Sequence, residues 1–299
     1  MPRLCTIFFL PELWHVIASF QNGRQCILLP FLGIKSPSET TCQTWVLDLQ
    51  SKLDPWYAEY GTACVLQLVE HLPKMKDYLF MAAVAANDVP LLKVLDELLN
   101  LMSCGRKLLN HASQYGSLEA LVCLHELGHP GCGQSAMEMA AKNGHLDVIQ
   151  FLHANRTEGC TVRAMDVAAE HGHLDVVKWL DGNRSEGCSN YAMDHAARNG
   201  HLQVVQWLHA REYDCSPFTM VYAITGGNLS VVQWIHENRR EGCVSVGINK
   251  GTPKELVEWL IVNRSDVDPE RILKDAARSK RIDLMELLMD RFGVTWRAT

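Results

Sequence analysis

Long apolar runs are missing from this chain of 299 residues. A membrane-spanning helix needs about 20 consecutive apolar residues, and the richest stretch, CILLPFLGI (Cys26 to Ile34), is broken by Pro30. A basic excess is missing too. The formal net charge is -6 and the pI near 6.1, which leaves no electrostatic footprint for nucleic acid. There is no CxxC pair, no HExxH, no glycine-rich phosphate loop, no serine elbow and no isolated carboxylate pair, so the common zinc, nucleotide and hydrolase signatures fail. The opening MPRLCTIFFLPELWHV imitates a signal peptide only weakly: Pro11 and Glu12 follow its short apolar run, and no small-residue cleavage site stands out. Eleven cysteines are spread along the chain without a compact framework, which points to reduced thiols and a cytoplasmic location.

What is present is repetition. SAMEMAAKNGHLDVIQFLHANRTEGC, RAMDVAAEHGHLDVVKWLDGNRSEGC and YAMDHAARNGHLQVVQWLHA superpose without gaps, starting at Ser135, Arg163 and Tyr191. FTMVYAITGGNLSVVQWIHENRREGC follows from Phe218, one residue early. Gly116, Gly144, Gly172, Gly200 and Gly227 mark the same place in successive copies. Weaker copies start at Tyr78, Lys107, Thr252 and Arg271, giving seven to eight over residues 78–299. Each copy reads as two short helices. In the one at Arg163, Thr161 is the expected N-cap, Met165, Ala168 and Ala169 share a face, and Gly172 ends the first helix. Leu174, Val176, Val177, Trp179 and Leu180 line the second, which stops at NRSEG. Helices this short are below the ~12–15 residues needed to stand alone, so each hairpin must bury its apolar face on the next.

AMDVAAEHGHLDVVKWL resembles the ankyrin-repeat consensus, with its alanine pair, glycine-bounded turn and valine-rich second helix. The resemblance covers about three quarters of the chain, from residue 78 onward. It implies an all-α, ankyrin-like solenoid of stacked helix-turn-helix repeats. The family's TPLH opening is replaced by RAMD or YAMD. The period is 28 residues, from Arg163 to Tyr191, against the ~33 of ordinary ankyrins. The shortening falls in NRSEGCSN (Asn183 to Asn190), so the β-hairpin fingers should be reduced to turns, with next to no strand.

The recurring residues invite chemistry and mostly resist it. Cys132, Cys160, Cys188, Cys215 and Cys243 form a ladder, with histidines at His145, His173 and His201. Equivalent positions in stacked hairpins lie ~10 Å apart, too far for a shared zinc at ~2.0–2.3 Å per ligand or for a disulfide. A small buried thiol closing the turn before each first helix fits better, and a metal site survives only if the cysteines converge. Trp179, Trp207, Trp234 and Trp259 sit on the apolar side of the second helices and are expected in the core. Arg156, Arg184, Arg239 and Arg264 recur in NR, with Glu158, Glu186 and Glu241 two residues after the first three, a self-neutralising surface ladder. His173 in the tempting HGH belongs to the recurring GHL, which argues against catalysis. The sequence calls for no enzyme activity, no cofactor and no metal.

The positions that the copies do not share are the informative ones. Three columns vary: Ser135/Arg163/Tyr191/Phe218, Met139/Val167/His195/Tyr222 and Lys142/Glu170/Arg198/Thr225. Within a copy they stand at i, i+4 and i+7, one stripe of the first helix. The resemblance implies that first helices line a concave, partner-binding surface, and aromatics with arginine are typical of binding hot spots. The expectation is a monomeric interaction module that takes another protein on these twelve residues, with no nucleic acid or membrane partner.

Residues 1–77 do not follow the repeat and read as a helical region capping it. Helices are expected near Leu10 to Phe20, Cys42 to Leu53 and Thr62 to Leu72, with loops at KSPSETT and LDPWYAEYG. LPELWHVIASF (Leu10 to Phe20) distantly resembles the start of an F-box, one residue short in its proline-to-isoleucine spacing. That resemblance implies an alternative role, a substrate adaptor of a ubiquitin ligase.

Overall fold

The computed structural model describes residue 31 and residues 42–61, 64–130, 133–239, 251–265 and 267–293. The chain forms two compact units, residues 1–132 and 133–299. Among the described residues both are helical, with no strand.

In the first unit α1 (Cys42–Tyr60) and α2 (Val65–His71) pack on α3 (Met75–Ala85). Two hairpins follow: α3 with α4 (Val89–Leu99), and α5 (Leu108–Tyr115) with α6 (Leu118–Glu126). The loop expected at LDPWYAEYG is instead the last part of α1, which runs through Pro55. An internal proline costs a helix about 3 kcal/mol. Next to it, however, Trp56 is 2% exposed, edge-on to Phe31 at 5.6 Å and to Tyr57 at 5.2 Å. Burial of an indole offsets much of that cost. The helix expected over Leu10 to Phe20, its F-box-like motif and the KSPSETT loop lie outside the described residues.

The second unit repeats one hairpin. First helices α7 (Ser135–Asn143), α9 (Val162–Glu170), α11 (Asn190–Asn199) and α13 (Thr219–Thr225) alternate with second helices α8 (Leu146–Asn155), α10 (Leu174–Asn183), α12 (Leu202–Ala210) and α14 (Leu229–Asn238). Then come α15 (Lys254–Asn263), a second helix, and the hairpin of α16 (Pro269–Arg278) and α17 (Ile282–Phe292). Thr161 caps α9 by accepting from the Arg163 amide at 3.1 Å, and Ser189 caps α11 by accepting from the Tyr191 amide at 3.2 Å. The apolar positions Ala164, Met165, Ala168 and Ala169 are all buried, as are Ala192, Met193, Ala196 and Ala197. Methyl side chains let first helices pack on one another far more closely than the second helices do. Stacked helical hairpins without strands are the all-α repeat architecture that the resemblance implies, with tight turns where the fingers would be.

Two hydrogen-bond exchanges tie together the four copies that start at Ser135, Arg163, Tyr191 and Phe218. At the start of the first helix, the upstream acid accepts from the downstream capping turn. Thr161 Oγ1 donates to Glu138 at 2.7 Å, and Ser189 donates to Asp166 through its amide at 2.9 Å and its hydroxyl at 2.7 Å. Thr219 Oγ1 donates to the buried Asp194 at 2.5 Å. At the other end, the residue after each turn glycine reaches back to the preceding first helix. His173 Nε2 donates to the Lys142 carbonyl at 3.0 Å, and Asn228 Nδ2 to the Arg198 carbonyl at 2.7 Å. These are carbonyls at a helix C-terminus, which lack intrahelical partners.

The turn glycine is required twice over. Gly172 has φ +79°, a left-handed conformation, and a methyl group on it would lie 2.5 Å from the His201 ring. The recurrence of GHL is therefore a joint between copies.

The tryptophan ladder departs from expectation. Trp179, Trp207, Trp234 and Trp259 are half-buried; the core beneath them is made by Val176, Val177, Leu180 and their equivalents. Three stand edge-on to a histidine of the preceding copy: His153–Trp179 and His209–Trp234 at 5.2 Å, His236–Trp259 at 5.3 Å. The arginine after the second helix completes the brace. Arg184 Nη1 donates to His153 Nδ1 at 3.3 Å, and Arg239 Nη1 to His209 Nδ1 at 3.1 Å. Where Asp181 replaces the histidine, Tyr213 donates to it at 2.6 Å and Arg211 pairs with it at 2.8 Å, both beside Trp207. A wide indole at the flank of a helix covers the gap between copies and keeps one edge in water.

Candidate functional site

All three variable columns fall on the exposed side of α7, α9, α11 and α13. Ser135, Lys142, Arg163, Tyr191, Arg198, Phe218 and Thr225 are exposed, and Met139, Val167, Glu170, His195 and Tyr222 are half-buried; none of the twelve is in the core. The backbone places them there because the alanine and methionine positions at the intervening helical angles are buried.

The stack brings some of these residues together. Tyr191 and His195, one turn apart on α11, meet edge to face at 5.6 Å. His195 then reaches Tyr222 of α13 at 6.0 Å, and its Nδ1 lies 3.4 Å from Glu170 Oε1 of α9. One aromatic contact thus spans two copies, with a carboxylate from a third. Tyr191 is 59% exposed and Phe218 62%, more than half of each ring open to water. Arg163 Nε lies 3.7 Å from Glu138. Ser135, Met139, Lys142 and Val167 lie on the same side in the upstream copies.

The other recurring residues are occupied within the fold. Cys160 is buried, Cys188 and Cys215 half-buried, while Cys132 and Cys243 fall outside the described residues. Burial pushes the Cys188 thiol up to about 12, with Asp166 and Asp181 adding to it. Burial raises Cys160 too, reinforced by Glu186. Such thiols stay protonated near neutrality and are poor nucleophiles. Among the described residues no group of three His, Cys, Asp or Glu is gathered to hold a metal. Arg156 and Arg184 pair with Glu158 and Glu186, while Arg239 faces His209, and Glu241 lies outside the described residues. In HGH, His171 Nδ1 donates to the Val167 carbonyl at 2.9 Å and His173 to that of Lys142, so neither nitrogen pair forms an acid–base couple. No described helix is long and apolar enough to cross a membrane.

The sequence pattern places the three columns on the exposed side but misses the joints between copies. The role of His173 and Asn228 was signalled by GHL and GNL, yet their acceptors lie about 30 residues upstream and carry no side-chain signature. No curated protein matches the chain. Residues 109–153 and 163–209 match the family model described as ankyrin repeats (many copies). Repeats of that family serve generally as protein–protein interaction modules and are generally non-catalytic. Paired helices, alanine-lined stacking and glycine-bounded turns are in register with that match, so residues 109–153 and 163–209 carry ankyrin repeats.

Proposed function

We propose that this protein is a non-catalytic interaction module that holds a partner protein on the face made by α7, α9, α11 and α13, the concave face in the ankyrin resemblance. It acts as a monomer in the cytoplasm, without nucleic acid or membrane as its target. One observation carries the reading: Tyr191, His195 and Tyr222 form a continuous aromatic contact across two copies, beside the exposed Phe218. Rigid aromatics lose little entropy on binding and supply most of the energy in such interfaces.

Tyr191→Ala combined with Tyr222→Ala should weaken partner binding about tenfold or more, since a hot-spot residue contributes roughly 2 kcal/mol. Thermal stability should change little. A stability loss like that of Trp207→Ala would show that these rings are structural and sink the reading. The F-box-like Leu10 to Phe20 supports a narrower version, in which the repeats hold a substrate and the N-terminus docks a ubiquitin ligase. Ligase components should then co-purify with the full chain and not with one lacking residues 1–30.

A further inference from the structure

The carboxylates and the cations of the proposed face are treated differently. Every carboxylate on the first helices α7, α9, α11 and α13 is already engaged. Glu138 accepts from Thr161, Asp166 from Ser189 and the buried Asp194 from Thr219, while Glu170 lies against His195. Helix α13 bears no charged residue. Lys142 and Arg198, by contrast, are exposed, and among the described residues no carboxylate stands within ion-pair distance of either. The Arg163 side chain is 73% exposed, beside its one contact at 3.7 Å. The face therefore has spare positive charge and open aromatic surface, and no spare negative charge.

Resting on the partner face proposed above, we infer that its occupant is an acidic peptide segment carrying apolar or aromatic anchors. Tyr191 and Phe218 take the anchors, and Arg198 and Lys142 take carboxylates. The two cations occupy the same column two copies apart, about 20 Å at ~10 Å per stacked helix. Six or so extended residues, at ~3.3–3.6 Å each, bridge that distance. The chain's net charge of -6 opposes an acidic ligand at long range. At physiological salt that field decays over ~8 Å, so the local sign of the face decides. Glu170, in the column between the cations, is the one acid beside the path.

Three fluorescein-labelled peptides of one design test this: phenylalanine at every third position, with glutamate, glutamine or lysine at the rest. Titrated with the full chain, the glutamate peptide should bind at least tenfold tighter than the glutamine peptide and lose affinity as salt rises. Lys142→Glu with Arg198→Glu should abolish that preference without moving the melting temperature, and Glu170→Gln should strengthen it. Equal affinity for glutamate and glutamine peptides, tighter binding of the lysine peptide, no binding of any, or a preference that survives the double reversal would each overturn the acidic assignment. The parent reading fails separately, through a glutamine peptide whose binding ignores Tyr191→Ala with Tyr222→Ala.

Discussion

Two sets of aromatic residues run along the second unit, and they are built on opposite plans. On the second helices the tryptophans recur in every copy from Trp179 to Trp259, and those at 179, 234 and 259 rest against a histidine of the copy before. On the first helices Tyr191, Phe218 and Tyr222 do not recur, and Tyr191 and Phe218 keep more than half their surface in water. The two sets differ in what finishes their contacts. A tryptophan is completed by the neighbouring copy, so its place in the sequence is periodic. Tyr191 and Phe218 are left largely in water, so nothing within the fold requires them to repeat.

That contrast can be broken in graded steps. Gly172→Ala attacks the joint beneath both sets. A left-handed alanine costs ~1–2 kcal/mol, and displacement of His201 from the preceding helix adds about 1 more. Chemical denaturation should therefore register a loss of about 3 kcal/mol, and an unchanged midpoint would remove the glycine's double role. Trp234→Ala should cost about 2 kcal/mol, below the usual 3–5 for a core aromatic because the ring is only half-buried. A loss at the full core value would restore the core assignment. His209→Ala, which removes the brace and spares the indole, should cost about 1 kcal/mol. It should be additive with Tyr191→Ala and non-additive with Trp234→Ala in a double-mutant cycle.

The smallest effect concerns alkali. Burial raises the Cys188 thiol from an ordinary 9.0 to about 12. Above the ordinary value the unfolded chain releases that proton while the folded chain keeps it, so stability falls from about pH 9 upward and is unaffected below. Melting temperatures across that range should fall less steeply in Cys188→Ala than in the parent. Parallel curves would mean the thiol is not buried as described.

How much of this was legible follows from the range of each interaction. Helical pairs, caps and the exposed columns are local or periodic, and Thr161, Gly172 and the alanine pairs announced them. Pro55 misled because a local breaker was overridden by the burial of Trp56 against a residue far away in sequence. The half-exposure of the tryptophans depends on where one helix lies against the next, which hydrophobic spacing within a single helix does not encode. The contact of His195 with Glu170 and Tyr222 was hidden for the same reason: it joins three copies.

The exchanged hydrogen bonds of the second unit have a consequence for its length. Helices α9 and α11 are each held at the start by the copy before and at the end by the copy after, through groups that occupy equivalent positions. Excision of Thr161 to Cys188, one full period, would hand Glu138 to Ser189 in place of Thr161. It would likewise bring His201 to the Lys142 carbonyl in place of His173. Both joints would close with the same donors and acceptors, while Arg163, Val167 and Glu170 would vanish from the outer face. Copies are thus interchangeable where they meet and individual where they face water, so the array could be shortened or rearranged to alter what it presents without redesigning how it coheres.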